Sequence, residues 1–330
     1  MKVLVIGGSG NISTAITAEL LQMGAEVTLF NRGNQPIPHT HQIIGDRYHQ
    51  KEFVSLVKNL DFDCVIDMIC YHPQDAQALV DAFSSRVKQL IFCSTVNTYQ
   101  APASVYPITE EEKIHTDPRF TYAHDKELCE SLLTEAAQNG AFSLTIIRPG
   151  ATVWDDTLPI PLIGDGRGLM NRMLEGKPII LIGDGSSLWC TSHRDDVGKA
   201  IAHAVLNPKT YGQAYTIASE RAITWEQYYE IAAEEFGAPK PKFVRIPWEL
   251  LVRLTGDENS WIGLNFRFNN IYCCQKARED LGFEETISWR EIMRRSVQIH
   301  QKRKDICQEF ENPEYDSIIK TYQDMMRNNF

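Results

Sequence analysis

The sequence predicts an α/β fold in which helices cover both faces of a parallel sheet. Two observations carry this prediction. Short apolar segments rich in β-branched residues alternate with segments whose apolar residues recur at helical spacing, without a break to about residue 93. The chain also has 330 residues, of which 43% are hydrophobic and 10% aromatic, so it can bury a large core in one large domain or two closely joined ones.

The opening segments define the first unit of this fold. Residues 2–6 (KVLVI) have the pattern of a buried strand, residues 13–23 that of a helix, and residues 25–30 (AEVTLF) that of a second strand. The turn after the first strand contains Gly7 and Gly10. One strand–helix–strand unit with glycines at its first turn is typical of a Rossmann-type fold, a doubly wound parallel sheet.

The glycine turn and the start of the helix form the expected phosphate site. Gly7 and Gly10 let the backbone turn sharply and approach a phosphate, and Asn11 and Ile12 lie where the helix offers free N–H groups and a positive dipole end. A short glycine loop alone is a weak indication, because tight turns without a ligand are common. Here strand, loop, helix and second strand stand in the required order, so the unit predicts dinucleotide binding.

The end of the second strand bears on the type of dinucleotide. An acidic residue there would bind the 2′-hydroxyl of NAD, whereas an arginine can accept the 2′-phosphate of NADP. Asn31 and Arg32 occupy this place, and neither is acidic. The sequence therefore favours NADP over NAD, and the alternative is that Arg32 is a solvated turn residue.

Three further strands continue the predicted sheet. They are the apolar segments that end at residue 44, at 64–70 (CVIDMIC) and at 88–93 (KQLIFC), and a helix separates the last two. The end of the fourth strand, from Met68 to Tyr71, is expected to pass beneath the cofactor.

A hydroxyl pair and a Tyr–Lys pair follow the fifth strand. Ser94 and Thr95 stand at its end, and Tyr122 and Lys126 lie four residues apart at the start of a predicted helix, so both project from one face. A tyrosine titrates near pH 10, which is too high for a base at neutral pH, but a nearby ammonium and a nicotinium charge favour the phenolate. The pattern predicts Tyr122 as a general acid/base, with the Thr95 hydroxyl on the substrate oxygen and Ser94 as the alternative.

Together these motifs resemble the extended short-chain dehydrogenase/reductase family, also called the NAD-dependent epimerase/dehydratase family. The similarity rests on the G-x-x-G loop, the S-T strand end, the Y-x-x-x-K pair and the H-R-D-D-V-G-K-A segment at 193–200, and it covers nearly the whole chain. Ser13 stands where the family has its third glycine. The resemblance implies an NAD(P)-dependent oxidoreductase or epimerase acting on a carbinol or ketone carbon of a sugar or sugar-nucleotide-like substrate.

The resemblance also implies roles for single residues. Thr95 occupies the place of the family's catalytic Ser/Thr, and Tyr122 that of its general acid/base. Lys126 would hold the nicotinamide ribose as well as supply charge. Asp46, after the third strand, matches the family's contact to the adenine amino group.

The family's organisation implies two domains. The NAD(P)-binding domain would comprise residues 1–150 and 190–219. A smaller mixed α/β substrate-binding domain with a C-terminal tail would comprise 151–189 and 220–330, with the active site between the two domains. The tail after about residue 304 is expected to form a helix that packs on the body or on a partner. A homodimer is a separate expectation.

Several departures from the family pattern reduce the number of activities that the resemblance implies. Trp189 stands where sugar-nucleotide members often carry an arginine that grips the diphosphate. Val96 and Asn97 follow Thr95 where the 4,6-dehydratase branch has Asp-Glu, which disfavours dehydration. Residues 28–33 (TLFNRG) are similar to a chloroplast RNA-binding branch, so the alternative function is a catalytically idle NAD(P)- or RNA-binding protein. This chain nevertheless keeps the Tyr/Lys pair.

Composition excludes other function classes. The net charge of −10 argues against a surface for nucleic acid or an anionic membrane, and there is no apolar run of about 18 residues that would predict a membrane span. Met1 leads directly into the first strand, which leaves no room for a signal peptide, and eight scattered cysteines are expected to be reduced. The nine histidines show no metal spacing. We therefore expect a cytoplasmic protein that binds no nucleic acid, membrane or metal.

Overall fold

A computed structural model of the chain describes residues 1–34, 36–256, 261–304 and 313–328. The chain divides into two compact units. The sheet unit comprises residues 1–152, 192–220 and 272–286, and the second unit comprises 153–191, 221–271 and 287–330. The sequence predicted 190–219 in the first domain and all of 220–330 in the second, whereas the structure places 190–191 in the second unit and 272–286 in the sheet unit. In the sheet unit the Cys274 amide donates to the Glu220 carboxylate at 2.8 Å.

Strands and helices alternate through most of the first 93 residues, but among the described residues no helix separates the second strand from the third, so the alternation is not unbroken as the sequence predicts. The elements of both units are as follows. The strands are β1 (Lys2–Ile6), β2 (Glu26–Asn31), β3 (His41–Ile44), β4 (Cys64–Asp67), β5 (Gln89–Cys93), β6 (Ser143–Pro149), β7 (Ala151–Val153), β8 (Ile179–Ile182), β9 (Leu188–Trp189), β10 (Thr191–His193), β11 (Gln213–Ile217), β12 (Ile223–Thr224) and β13 (Phe243–Ile246). The helices are α1 (Asn11–Gln22), α2 (Gln50–Val57), α3 (Pro73–Phe83), α4 (Thr121–Gln138), α5 (Gly166–Leu174), α6 (Arg194–His203), α7 (Trp225–Glu235), α8 (Trp248–Thr255), α9 (Gln275–Leu281), α10 (Trp289–Arg303) and α11 (Pro313–Asn328).

Seven strands pair side by side in the order β11-β6-β5-β4-β1-β2-β3, and every pairing is parallel. This confirms the predicted Rossmann-type sheet. The chain moves outward from β1 in one direction through β2 and β3, and then crosses to β4 on the other side of β1. The strand order therefore reverses between β1 and β4, and in such sheets the crevice outside the carboxyl ends of these strands is where ligands bind.

Close packing fixes α1 over this crevice. A Cβ atom on Gly198 of α6 would lie 2.5 Å from the Cβ of Ala15 on α1, so only glycine allows the two helices to approach this closely. On the other side of the sheet, the buried ring of Phe53 on α2 meets Phe30 and Phe83 edge to face, with ring centroids 5.0 and 6.3 Å away. Interlocked side chains of this kind leave the elements around the crevice little freedom to shift.

The second unit has an aromatic core and includes the described part of the tail. Trp189 is 5% exposed and stacks on Trp225 with ring centroids 5.0 Å apart, so the position of the family's diphosphate-gripping arginine is filled by a core side chain. Strands β8 and β13 form a parallel pair. Helix α11 packs beside β8, because the Tyr315 hydroxyl accepts a hydrogen bond from the Ile180 amide at 2.8 Å. Within the described ranges, every helix is too short or too polar to cross a lipid bilayer.

Candidate active site

The two glycines of the first turn differ in backbone conformation and in the space around them. Gly7 has φ +82°, in the left-handed region, and a Cβ there would lie 2.7 Å from the Ile69 side chain. Gly10 is exposed and has φ −76°, and a Cβ there would find no atom closer than the Ser13 hydroxyl at 3.4 Å. The protein itself therefore requires glycine at position 7, whereas the space over Gly10 is open to a ligand.

The N-terminus of α1 points into this open space. Its first intrahelical hydrogen bond runs from the Thr14 amide to the Gly10 carbonyl at 3.0 Å. The amides of Asn11, Ile12 and Ser13 therefore have no acceptor within the helix, and Gly10 has no side chain to cap them. Such a set of free amides, at the positive end of the helix dipole, fits a phosphate group.

Asn31 and Arg32 end β2 beside the glycine turn. The Asn31 side chain is buried, its carbonyl oxygen accepts from the Gly33 amide at 2.8 Å, and its NH2 group has no hydrogen-bond partner among the residues that the structure describes. Leaving a buried donor unpaired costs about 1–3 kcal/mol, so this group fits an acceptor on a bound molecule, such as a ribose hydroxyl. Arg32 is exposed. Asp46, half-buried after β3, accepts from the Tyr48 amide at 2.9 Å.

A buried cluster of charged side chains holds the segment after β4 in place. This cluster was not predicted from the sequence. Arg47, 2% exposed, donates from Nε and Nη2 to the Asp67 carboxylate at 3.2 and 3.1 Å and from Nη2 to the Asp75 carbonyl at 2.6 Å. The Asp75 carboxylate in turn accepts from the amides of Tyr71 and His72 at 3.2 and 3.1 Å. A signal was available in the sequence, because an aspartate inside the apolar run CVIDMIC needs a partner when buried.

The segment held in this way starts at Met68 and contains Tyr71. Met68 is buried, and its amide donates to the Ile6 carbonyl at the end of β1 at 3.1 Å. The ring centroid of Tyr71 lies 6.4 Å from that of Tyr122. Met68 therefore lies next to the end of β1 in the crevice, and Tyr71 reaches the predicted catalytic helix α4.

The structure brings the hydroxyls of Thr95 and Tyr122 together. Thr95 follows β5 and is 4% exposed, and its hydroxyl is hydrogen-bonded to the Tyr122 phenol at the start of α4. Burial raises the pKa of Tyr122 to about 12, the neighbouring Cys93 thiol adds to this, and the hydrogen bond from Thr95 opposes it. In the protein alone, burial thus outweighs the lowering of this pKa that sequence analysis expected.

Lys126 lies beneath the tyrosines rather than in solvent. It is 1% exposed, and its ammonium donates to the Cys93 carbonyl at the end of β5 at 2.6 Å. The ammonium also lies 4.8 Å from the centroid of the Tyr71 ring and 4.9 Å from that of Phe92, within the range of cation–π attraction. The remaining protons of this buried charge are suited to further acceptors, such as the hydroxyls of a bound ribose.

Ser94, the alternative to Thr95, bonds in another direction. Its hydroxyl donates to the Glu130 carboxylate at 2.5 Å. The same carboxylate accepts from Nε and Nη2 of Arg148 at 2.9 and 2.6 Å, and both charged side chains are 5% exposed. Ser94 therefore belongs to a buried ion pair behind the site, which leaves Thr95 as the hydroxyl that faces Tyr122. No group of three or more metal-ligating side chains occurs in the described parts of the chain.

Comparison with known proteins agrees with this architecture. Residues 3–218 match the model of the NAD dependent epimerase/dehydratase family. The chain is 29% identical over 253 residues to 2'-dehydrokanamycin reductase of Streptomyces kanamyceticus, which covers 75% of this chain and 70% of that protein. It is 23% identical over 265 residues to the chloroplast stem-loop binding protein of 41 kDa b of Arabidopsis thaliana, covering 74% of this chain and 65% of the plant protein.

Solved structures show the same fold. UDP-glucose 4-epimerase of Thermotoga maritima superimposes with a TM-score of 0.71 at 20% identity, over 92% of this chain and 100% of that one. UDP-glucose 4-epimerase of Bifidobacterium longum, solved with NAD+ and UDP, gives a TM-score of 0.70 at 17% identity, over 92% and 99% of the two chains. The family match covers well over half of the sequence, and the resemblance inferred from the motifs is confirmed: the chain belongs to the NAD-dependent epimerase/dehydratase family.

Proposed function

We propose that this protein is an NAD(P)-dependent oxidoreductase that interconverts a ketone and a carbinol on a sugar-like small molecule, with Tyr122 as the general acid/base. The observation that carries the proposal is the hydrogen bond between the Tyr122 and Thr95 hydroxyls, one helical turn from the buried ammonium of Lys126. A relative named as a reductase and structural neighbours named as epimerases support a reaction of this type.

The residues around the β1/β4 crevice would hold the dinucleotide. The amides of Asn11 and Ile12, beneath the open space at Gly10, would bind its pyrophosphate. The unpaired NH2 group of Asn31 would bind the adenosine ribose, and Lys126 the nicotinamide ribose. When bound, the cofactor supplies the carrier of the hydride.

Three further residues complete the proposed cofactor site. Gly7 makes the turn that brings the backbone to the pyrophosphate, Asp46 would meet the adenine, and Met68 would lie beneath the cofactor. Because Arg32 is exposed at the end of β2 and neither residue there is acidic, we propose that NADP binds in preference to NAD.

The protonation state of Tyr122 favours the reductive direction at neutral pH. Its raised pKa of about 12 means that the phenol carries its proton and can give it to a ketone oxygen as the carbinol forms. The Thr95 hydroxyl would hold that oxygen and then stabilise the phenolate that remains. In the oxidative direction Tyr122 must first lose its proton, which burial opposes.

The test is turnover of a panel of keto sugars with NADPH or NADH, followed by the loss of the reduced-nicotinamide absorbance band. Tyr122→Phe keeps the ring but deletes the proton, and we expect turnover to fall by about two to four orders of magnitude with cofactor affinity nearly unchanged. Tyr211→Phe is the matched control, because Tyr211 precedes β11 at the amino ends of the strands, opposite the site. Full activity of Tyr122→Phe would contradict the proposal. An epimerase would convert its substrate, detected by NMR, without net change in absorbance.

The plant relative is named as a stem-loop binding protein, which gives a specific reason to test RNA binding as a second function. RNA affinity that falls with salt and is unaffected by Tyr122→Phe would favour this alternative. The net charge of −10 and the Tyr122–Thr95 contact support the enzyme instead.

A further inference from the structure

We propose that Asn97 is a positioning residue that makes the Thr95 hydroxyl an obligatory hydrogen-bond donor toward Tyr122 and the substrate oxygen. The inference rests on the proposed role of Tyr122 as acid/base. It adds that Asn97 fixes the direction in which Thr95, the hydrogen-bond partner of Tyr122, donates its proton.

The contacts of Thr95 carry the argument. Thr95 has an extended backbone, φ −158° and ψ 151°, and caps the short helical turn at 96–98. Its hydroxyl oxygen accepts two hydrogen bonds from Asn97, one from the backbone amide at 3.3 Å and one from the side-chain NH2 group at 3.1 Å. Its third contact is with the phenol of Tyr122.

The donor and acceptor capacity of a hydroxyl determines where Thr95 donates its proton. A threonine hydroxyl has two acceptor lone pairs and a single proton to donate. Asn97 occupies both lone pairs of Thr95, so the proton is what remains for Tyr122. Donors on the oxygen also polarise its O–H bond, which strengthens the bond that the proton makes. Thr95 can therefore stabilise a phenolate at Tyr122, or the oxygen of a ketone bound beside it.

Other charged and titratable groups near Tyr122 do not depend on Asn97. They are the Cys93 thiol on β5, the Tyr71 phenol after β4, and the Lys126 ammonium on the same helix as Tyr122. The Lys126 ammonium donates to the Cys93 carbonyl, and the backbone amide of Tyr71 donates to the Asp75 carboxylate. A substitution at Asn97 therefore acts on Tyr122 through Thr95.

The experiment compares Asn97→Ala, Thr95→Val and the double variant in the oxidative reaction. The rising limb of the pH–rate profile reports deprotonation of Tyr122. Asn97→Ala keeps the backbone donor but frees one lone pair of Thr95, and we expect the limb to move about one pH unit higher. The double variant should match Thr95→Val alone, because Asn97 has nothing left to orient.

Thr98→Val is the matched control for damage to the turn. The Thr98 hydroxyl donates to the backbone carbonyl of Thr95 at 2.9 Å and not to its hydroxyl, so this variant should leave the limb in place. The inference is overturned if Asn97→Ala leaves the limb unmoved, if it moves the limb further in the Thr95→Val background, or if Thr98→Val moves it equally.

A second readout separates this inference from the proposed function. The 13C signal of the Tyr122 ring, assigned with Tyr122→Phe, can be titrated in the complex with the oxidised cofactor and without substrate. A shift in Asn97→Ala supports the positioning role even if no substrate on the panel is turned over. If Tyr122→Phe abolishes turnover while Asn97→Ala moves neither the limb nor the signal, the proposed function stands and the role of Asn97 is refuted.

Discussion

Gly10 and Gly7 allow a sharp test of the proposed dinucleotide site, because the fold requires glycine at position 7 but not at position 10, where we propose that the ligand requires it. In Gly10→Val, the new side chain would occupy the open space over the N-terminus of α1 and block the amides of Asn11 and Ile12. Hydrogen bonds to charged groups contribute about 1.5–3 kcal/mol each, so the loss of two would cost about 3–6 kcal/mol. At about 1.4 kcal/mol per tenfold, the Kd for the dinucleotide should rise by about two to four orders of magnitude.

The same variant should fold. The backbone at Gly10 is extended, with φ −76° and ψ 173°, and the nearest atoms to a new Cβ are 3.4 and 3.5 Å away. Valine is a poorer helix cap than glycine, so we expect a cost in the free energy of unfolding of only about 1 kcal/mol.

The Gly7→Ala variant should, in contrast, lose stability. Its φ of +82° is strained for alanine, and its Cβ would lie 2.7 Å from Ile69, so we expect stability to fall by about 1–3 kcal/mol. Isothermal titration calorimetry with NADP+ and NAD+ measures affinity, and urea unfolding measures stability. An unchanged Kd in folded Gly10→Val would show that no phosphate binds at this turn.

Three further predictions follow from the same description. Arg32→Ala should weaken NADP binding more than NAD binding, and an equal loss for both in calorimetry would show that Arg32 is a solvated turn residue. Glu130→Gln should lower the free energy of unfolding by about 3–5 kcal/mol in urea, because it leaves the Arg148 guanidinium buried without its counter-charge; a stability like that of the unaltered protein would refute this reading. The reductive rate should stay level across neutral pH and fall only in the alkaline range, since Tyr122 is protonated below its pKa of about 12, whereas the oxidative rate should rise with pH; a reductive rate that falls through neutral pH would contradict this assignment.

Local patterns in the sequence predicted the sheet and the glycine turn well. Strand and helix periodicities are properties of neighbouring residues, and the requirement for glycine at Gly7 follows from a turn only a few residues long. The proximity of Thr95 and Tyr122 was expected only from the resemblance to the family, because Tyr122 lies at the start of α4 and not at the end of a strand.

Pairings between distant residues were out of reach. Arg47 contacts Asp67 and Asp75, which lie 20 and 28 positions further along the chain. No spacing in the sequence indicates which buried charges will pair. The return of residues 272–286 to the sheet unit likewise depends on tertiary contacts. In the protein without cofactor the pKa of Tyr122 lies above its usual value. A sequence shows the charged neighbour but not the depth of burial, which here is the larger effect.

The buried charges around Arg47 have a consequence for the rigidity of the proposed site. The segment from Met68 to His72 is tied by a guanidinium and two carboxylates that are almost fully removed from solvent. Swinging it aside would separate these charges in a medium of low polarity, at a cost of several kcal/mol. We therefore expect the segment from Met68 to His72 to form a rigid wall of the proposed site, and any adjustment to ligands of different size to occur in segments without such buried charges.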